Sequence, residues 1–222
     1  AKKLLNEKVG HTGTLDPNAT GLLIILVGKY TKLLPYCVSN KKRYHAEFSF
    51  GKRSTTEDIW GDIVEEKAYQ THTKEELTKV AETMLGKSIQ IPPMYSAIKI
   101  NGKKLYEYAR EGKEVKIEPR NIEIYKIELL EYQNNKIKFE VECSKGTYIR
   151  TLCEDISQKL GTVGYMEELQ RTKVNTFKIE DSILLDDITL ENAEKNIIKI
   201  EKVFKEKDKI NLDNKKLEMF LN

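Results

Sequence analysis

NIEIYKIELLEYQNNKIKFEVEC, residues 121–143, decides the fold. Apolar and charged residues alternate on both sides of Asn134-Asn135, and a period of two around an asparagine pair predicts two antiparallel strands, Asn121–Tyr132 and Lys136–Cys143. Each presents one face to a core and one to water. Downstream, Gly146 introduces a helix predicted from about Thr147 to Leu160, and two shorter strands are predicted around residues 163–178. Upstream, Thr73 and Glu76 have capping-box spacing, so a helix runs from Thr73 to Leu85 and closes at Gly86. Tyr44–Gly51 alternates and reads as a half-buried strand, whereas GLLIILVG at residues 21–28 is apolar throughout and reads as a buried one. Residues 29–38 follow as a short helix that stops near Pro35.

Between Ile89 and Gly112 the chain shows a Pro-Pro break, a short strand, an Asn101-Gly102 hairpin turn and a short helix with Tyr106, Tyr108 and Arg110. This segment reads as an excursion from the core. After Asp181 the sequence turns charged, with Ile and Leu at helical spacing, and reads as a C-terminal helical extension, 181–222. The elements lack the regular βαβ rhythm of a parallel sheet and include two hairpins, so the fold class is α+β, a mixed and largely antiparallel sheet flanked by helices.

Composition excludes more than it selects. A chain of 222 residues with 39% hydrophobic and 33% charged residues is globular, and no apolar run approaches the roughly 20 residues that cross a bilayer. No secretory h-region is visible at the start, so a cytoplasmic protein is expected. Three cysteines at irregular spacing offer neither a disulfide framework nor a metal knuckle, and three scattered histidines offer no zinc-hydrolase pair. The expected chemistry is organic, without metal or cofactor. A net charge of +3 permits an RNA partner without requiring one.

The most unusual stretch is VGHTGTLDPNATGLLIILVG, residues 9–28, where a loop rich in Gly, Thr and Asn runs into the apolar strand. By itself Asp16-Pro17-Asn18 is an ordinary turn, and the glycines fit no nucleotide-phosphate loop. The stretch nevertheless resembles, letter by letter, the catalytic motif of the TruB family of tRNA pseudouridine synthases, GHTGTLDPxAxGxL. RYHAEFSFGKRSTTEDIWG, QIPPMYSAIKINGKKLYEYAR, and CSKGTYIRTLCEDISQKLG with ELQRT are similar to the family's later segments, in the family's order, from residue 8 to about 178.

The resemblance implies the pseudouridine synthase fold with an inserted RNA-clamping segment at about 90–118, a catalytic domain over 1–180, and isomerisation of uridine 55 in the T loop of tRNA. It implies Asp16 as the nucleophile. Isomerising uridine breaks the N1–C1′ bond, turns the uracil and joins C5 to C1′; a carboxylate can attack C6, attack C1′ or stabilise a glycal-like route. Arg150 resembles the arginine that pairs with this aspartate and holds its orientation. Tyr44 looks like the tyrosine that stacks on the flipped base and is a candidate for proton removal, with Tyr148 and Leu169 at other pocket positions. His11 matches the histidine that takes the place of the extruded nucleotide.

Lys99, Lys103, Lys104 and Arg110 lie among Tyr95, Tyr106 and Tyr108, an interleaving that suits an RNA backbone, and Lys41, Lys42, Arg43, Lys52 and Arg53 form a second candidate phosphate-contacting cluster. The implied partner is a tRNA T stem-loop, with no obligatory protein partner and a monomeric enzyme. A segment containing KPxGxTS, which family members carry before the catalytic motif, is not found, and no PUA-type domain is recognisable after residue 181, so that region reads as the start of a truncated C-terminal part. Two other readings remain: a tRNA-binding or tRNA-folding module without turnover, and a guide-RNA-dependent relative acting on rRNA.

Overall fold

A computed structural model describes residues 2–37, 41–204 and 213. The chain forms two compact units, Lys8–Ser182 and a second made of Ala1–Glu7 with Ile183–Asn222.

The larger unit is built on a seven-stranded sheet whose heart is the hairpin foreseen from its alternation. Arg120–Gln133 and Lys136–Ser144 pair antiparallel around Asn134, which adopts φ +54. Lys41–Phe50 adds to the second strand, Gly164–Val174 to that, and the small strand Phe177–Lys178 to its edge; Gly86–Gln90 closes the other side. One strand breaks the antiparallel rule: Ala19–Gly21 runs parallel to residues 169–171 of Gly164–Val174. The sheet is therefore mixed and largely antiparallel, as expected.

Alternation fixes which face is dry. In register, Tyr44 opposes Val141, Ala46 opposes Phe139 and Phe48 opposes Ile137, while Leu169 and Met166 continue the same rows from the next strand. All eight are buried. Helix Ile149–Lys159 covers this face with Ile149, Leu152, Cys153 and Ile156, and helix Lys74–Glu82 with Leu77 and Ala81. The opposite face carries cross-strand ion pairs, among them Arg43 with Glu142 and Lys126 with Glu140. The capping box forms: the Glu76 N–H donates to the Thr73 hydroxyl at 3.2 Å, and the Thr73 N–H to the Glu76 carboxylate at 2.8 Å.

The excursion leaves the sheet at Gln90 and returns at Arg120, which are directly paired. Between them lie the hairpin Lys99–Ile100 with Lys103–Lys104, turning through Asn101 and Gly102 at φ +51 and +80, and helix Leu105–Arg110. One expectation fails. The apolar run Leu22–Val27 is not a buried strand: only Leu22 is buried, and Ile25–Val27 pairs with Val9–His11 in a separate two-stranded ribbon, with Leu23 and Ile25 more than a third exposed. The cause is the preceding strand, for once Ala19–Gly21 takes the sheet edge and the Leu22 N–H bonds to the Arg171 carbonyl, the chain must swing off the sheet. The short helix expected next forms as a 3-10 helix, Gly28–Tyr36, and stops one residue after Pro35.

In the smaller unit, the described part of the C-terminal extension consists of short pieces: Leu190–Ala193, capped by Thr189, Ile200–Val203, and 3-10 turns at Leu185–Asp187 and Glu194–Asn196. The remainder of the expected extension lies outside the described residues, apart from 213. Among the described residues no helix is long and apolar enough to cross a membrane.

Phe139 is fully buried with its ring centroid 5.5 Å from that of Phe48. Phe139→Ala is expected to lower the unfolding free energy by about 3–5 kcal/mol, and Thr73→Ala by about 1 kcal/mol. Urea unfolding of the two variants beside the parent checks both the magnitudes and their order.

Candidate functional site

The Asp16 loop hangs from the edge of the sheet. The Ala19 N–H donates to the Asp16 carbonyl at 2.9 Å, closing the Asp16-Pro17-Asn18 turn, and residues 19–21 then zip onto residues 169–171. Only glycine fits at position 21: its φ is +99, and a Cβ there would lie 2.4 Å from the Arg171 carbonyl oxygen. This anchorage presents the Asp16 side chain, about a third exposed, toward Arg150.

Arg150 stands at the start of helix Ile149–Lys159 and is buried. Its guanidinium donates from Nε to Asp16 Oδ2 at 2.9 Å, from Nη1 to the Thr56 carbonyl at 2.9 Å and from Nη2 to the Tyr95 carbonyl at 3.0 Å. The pair expected between Asp16 and Arg150 is thus formed, and two loops are tied to it. The helix start is held in turn by buried Gln90, whose Oε1 accepts from the Tyr148 N–H at 2.7 Å and whose Nε2 donates to the Tyr148 carbonyl at 3.0 Å. Tyr148 itself is half-buried.

Tyr44 and Leu169 lie in the buried rows of the sheet, Leu169 between Ala19 and Ala46. Burial pushes the Tyr44 phenol up to about 12, a rise that Arg171 opposes and the Asp16 charge adds to. At neutral pH it keeps its proton. His11 is exposed on the two-stranded ribbon, opposite Ile25, and is not drawn against Asp16 by any hydrogen bond.

Three groups with no role in the sequence reading complete the surroundings: Gln90, Arg171 and Glu57. Glu57 adopts φ +61 and accepts from the Thr151 hydroxyl at 3.1 Å. Burial, then the Glu154 charge, push its carboxyl up to about 7, against the pull of Arg150. Gln90 and Arg171 stand inside the motif segments, but Thr56 and Tyr95 act through carbonyls, which every residue has and no side-chain pattern reveals.

Of the basic residues, Arg43 is engaged by Glu142 and Glu140, Lys52 by Glu66, and Arg53 by Glu65 and Glu154. In the excursion, Lys104 and Arg110 lie over the Tyr106 ring at 5.2 and 5.3 Å, and Lys103 over Tyr108 at 4.8 Å.

Residues 2–149 match the model of the TruB family pseudouridylate synthase N-terminal domain, and residues 150–209 that of the tRNA pseudouridylate synthase B C-terminal domain. The chain is 47% identical to the tRNA pseudouridine synthase B of Alkaliphilus oremlandii over 87% of its own length and 64% of that relative's. With the Clostridium tetani protein of the same name the identity is 46% over 93% of this chain and 72% of the relative. Similar solved structures are a Cbf5-Nop10-Gar1 complex, with a TM-score of 0.64 and 30% identity over 84% of this chain and 46% of that one, and an H/ACA RNP bound to a substrate RNA containing 2'-deoxyuridine, with a TM-score of 0.62 and 26% identity over 89% and 50%.

Glu57 generates a pH signature. Below about pH 4.5 its carboxyl is protonated in folded and unfolded chains alike; between there and about pH 7 the unfolded chain sheds the proton while the folded one keeps it, so stability falls with rising pH. The loss is on the order of 3 kcal/mol, and it is complete above about pH 7. Glu57→Gln removes the titration. The unfolding free energy of the variant relative to the parent should therefore rise across this window and then level off; urea titrations at a series of pH values that give a flat difference would refute a buried, neutral Glu57.

Proposed function

The chain belongs to the TruB family of pseudouridylate synthases, and on that footing we propose that it isomerises uridine 55 in the T loop of tRNA to pseudouridine, with Asp16 as nucleophile and the target base turned out of its loop. The observation that carries this reading is the 2.9 Å pair between Asp16 and the buried Arg150. Overall the N1–C1′ bond breaks, a C5–C1′ bond forms, the C5 proton leaves to water and N1 takes up a proton in exchange. Nothing is oxidised or reduced, so no electron carrier is called for. The protein has to supply an ionised carboxylate in a fixed place, and a guanidinium whose other donors are spent on carbonyls is a rigid support for one.

In this reading the uracil enters beside Asp16, bounded by Leu169, Tyr148 and the edge of Tyr44. With its phenol near 12, Tyr44 enters the reaction as a ring and a hydrogen-bond donor; it accepts the C5 proton only after its own has been passed on. His11, exposed on its ribbon, is free to enter the vacated place in the T loop. The residue 91–119 excursion touches the site through the Tyr95 carbonyl, which supports its use as a clamp on the RNA. Acidic partners engage Arg43, Lys52 and Arg53, and in the excursion Glu111 likewise engages Lys103, so the phosphate contacts of the excursion fall to Lys104 and Arg110.

We take the protein to act alone and as a monomer. The solved neighbours come from protein and RNA complexes, which favours as a second reading an activity that needs partners. Tritium release from a T stem-loop labelled at C5 of uridine separates these. Purified protein should release tritium unaided, and Asp16→Asn should cut the rate about a thousandfold or more while RNA affinity stays within a few fold. Binding without release by the parent protein would leave a tRNA-holding module, and release only after guide RNA or partner proteins are added would favour the second reading.

A further inference from the structure

Residues 13–18 of the Asp16 loop have no neighbouring strand to satisfy their carbonyls. Arg171 does part of that work. It is 2% exposed, and its guanidinium donates from Nε to the Leu22 carbonyl at 2.8 Å, from Nη1 to the Thr14 carbonyl at 3.2 Å and from Nη2 to the Gly13 carbonyl at 3.0 Å. One planar group thereby ties together the two ends of the loop that carries Asp16. The backbone of Arg171 holds the same loop from the other side, through the Leu22 N–H at 2.8 Å and the close approach of Gly21. The charge of the same guanidinium opposes the rise that burial imposes on the Tyr44 phenol, and the Lys42 ammonium lies next to Gly13, its proton affinity lowered by burial and then by Arg171.

Burying a guanidinium is unfavourable unless its donors are satisfied, and among the described residues no carboxylate forms an ion pair with this one. An aliphatic side chain would fill the space with less desolvation. What it would lack is a rigid fork of donors that meets three carbonyls of an irregular segment at once.

We propose that Arg171 is a positioning residue for Asp16: it sets the loop in the geometry in which the carboxylate meets Arg150, without touching substrate. The proposal rests on the reaction proposed above for its kinetic consequence only. Charge is not the operative property, since lysine would keep the charge and lose the fork.

The test uses Arg171→Lys and Arg171→Met in the full chain, with two independent measurements. In the tritium-release assay, kcat should fall about a hundredfold or more in both variants while the Kd for the stem-loop stays within a few fold. In hydrogen exchange, the amides of Thr12, Ala19 and Leu22, which close this loop, should exchange at least tenfold faster while those of Phe48 and Val141 in the sheet are unchanged. Lysine restoring both kcat and loop protection would show that charge suffices and overturn the proposal, as would unchanged kcat and exchange in both variants. If the methionine variant does not fold, the lysine variant decides by the same readouts; faster exchange throughout the sheet in that variant would make Arg171 a general structural staple and also overturn the proposal. Should the parent protein release no tritium, the proposed reaction fails on that result, and the exchange measurement still decides whether Arg171 holds the loop.

Discussion

The buried guanidinium of Arg150 is the constraint around which the site is organised. Its three bonds reach Asp16, Thr56 and Tyr95, which lie 134, 94 and 55 residues from it in sequence. None of the three partners is in a strand or helix. A planar donor group in a low-dielectric setting is costly to leave unsatisfied and directional when satisfied, so each loop has one position in which all three bonds form together. Gln90 extends the constraint by fixing the backbone just before the helix that carries Arg150. Three irregular segments thereby acquire a common reference point on a rigid element.

The sheet makes that possible by being one-sided. Its buried rows and two helices form a core that needs nothing from the opposite face, where the cross-strand ion pairs are at least partly exposed and contribute little to stability. Excursions can therefore depart from the sheet without disturbing it: the segment after Gln90 returns to a residue paired with Gln90, and the Asp16 loop enters beside residues 169–171 by a parallel pairing three residues long. The chemistry-bearing groups lie where such departures meet the core.

The hairpin of residues 121–143, the capping box at Thr73 and the Asn101-Gly102 turn were legible because each is a local rule, in which a period of two, a three-residue spacing or a positive φ is satisfied within a few positions. The run Leu22–Val27 misled for the same reason. Its hydrophobicity is local, whereas its place is set by a sheet edge already occupied by Ala19–Gly21. The basic cluster at residues 41–43 and 52–53 was legible as charge but not as paired charge, since the partners of Arg43 and Arg53 lie on other strands and on the helix, up to 101 residues away.

The order of the motifs and the identity of Asp16, Tyr44, Arg150 and Leu169 are present in the amino-acid sequence alone, because a side chain carries its chemistry wherever it stands. Only the tertiary structure decided that one arginine meets a carboxylate and two carbonyls while another meets carbonyls alone. Local sequence does not hold that difference: backbone carbonyls are alike at every position, and which of them a buried guanidinium finds depends on how segments many residues apart are folded together.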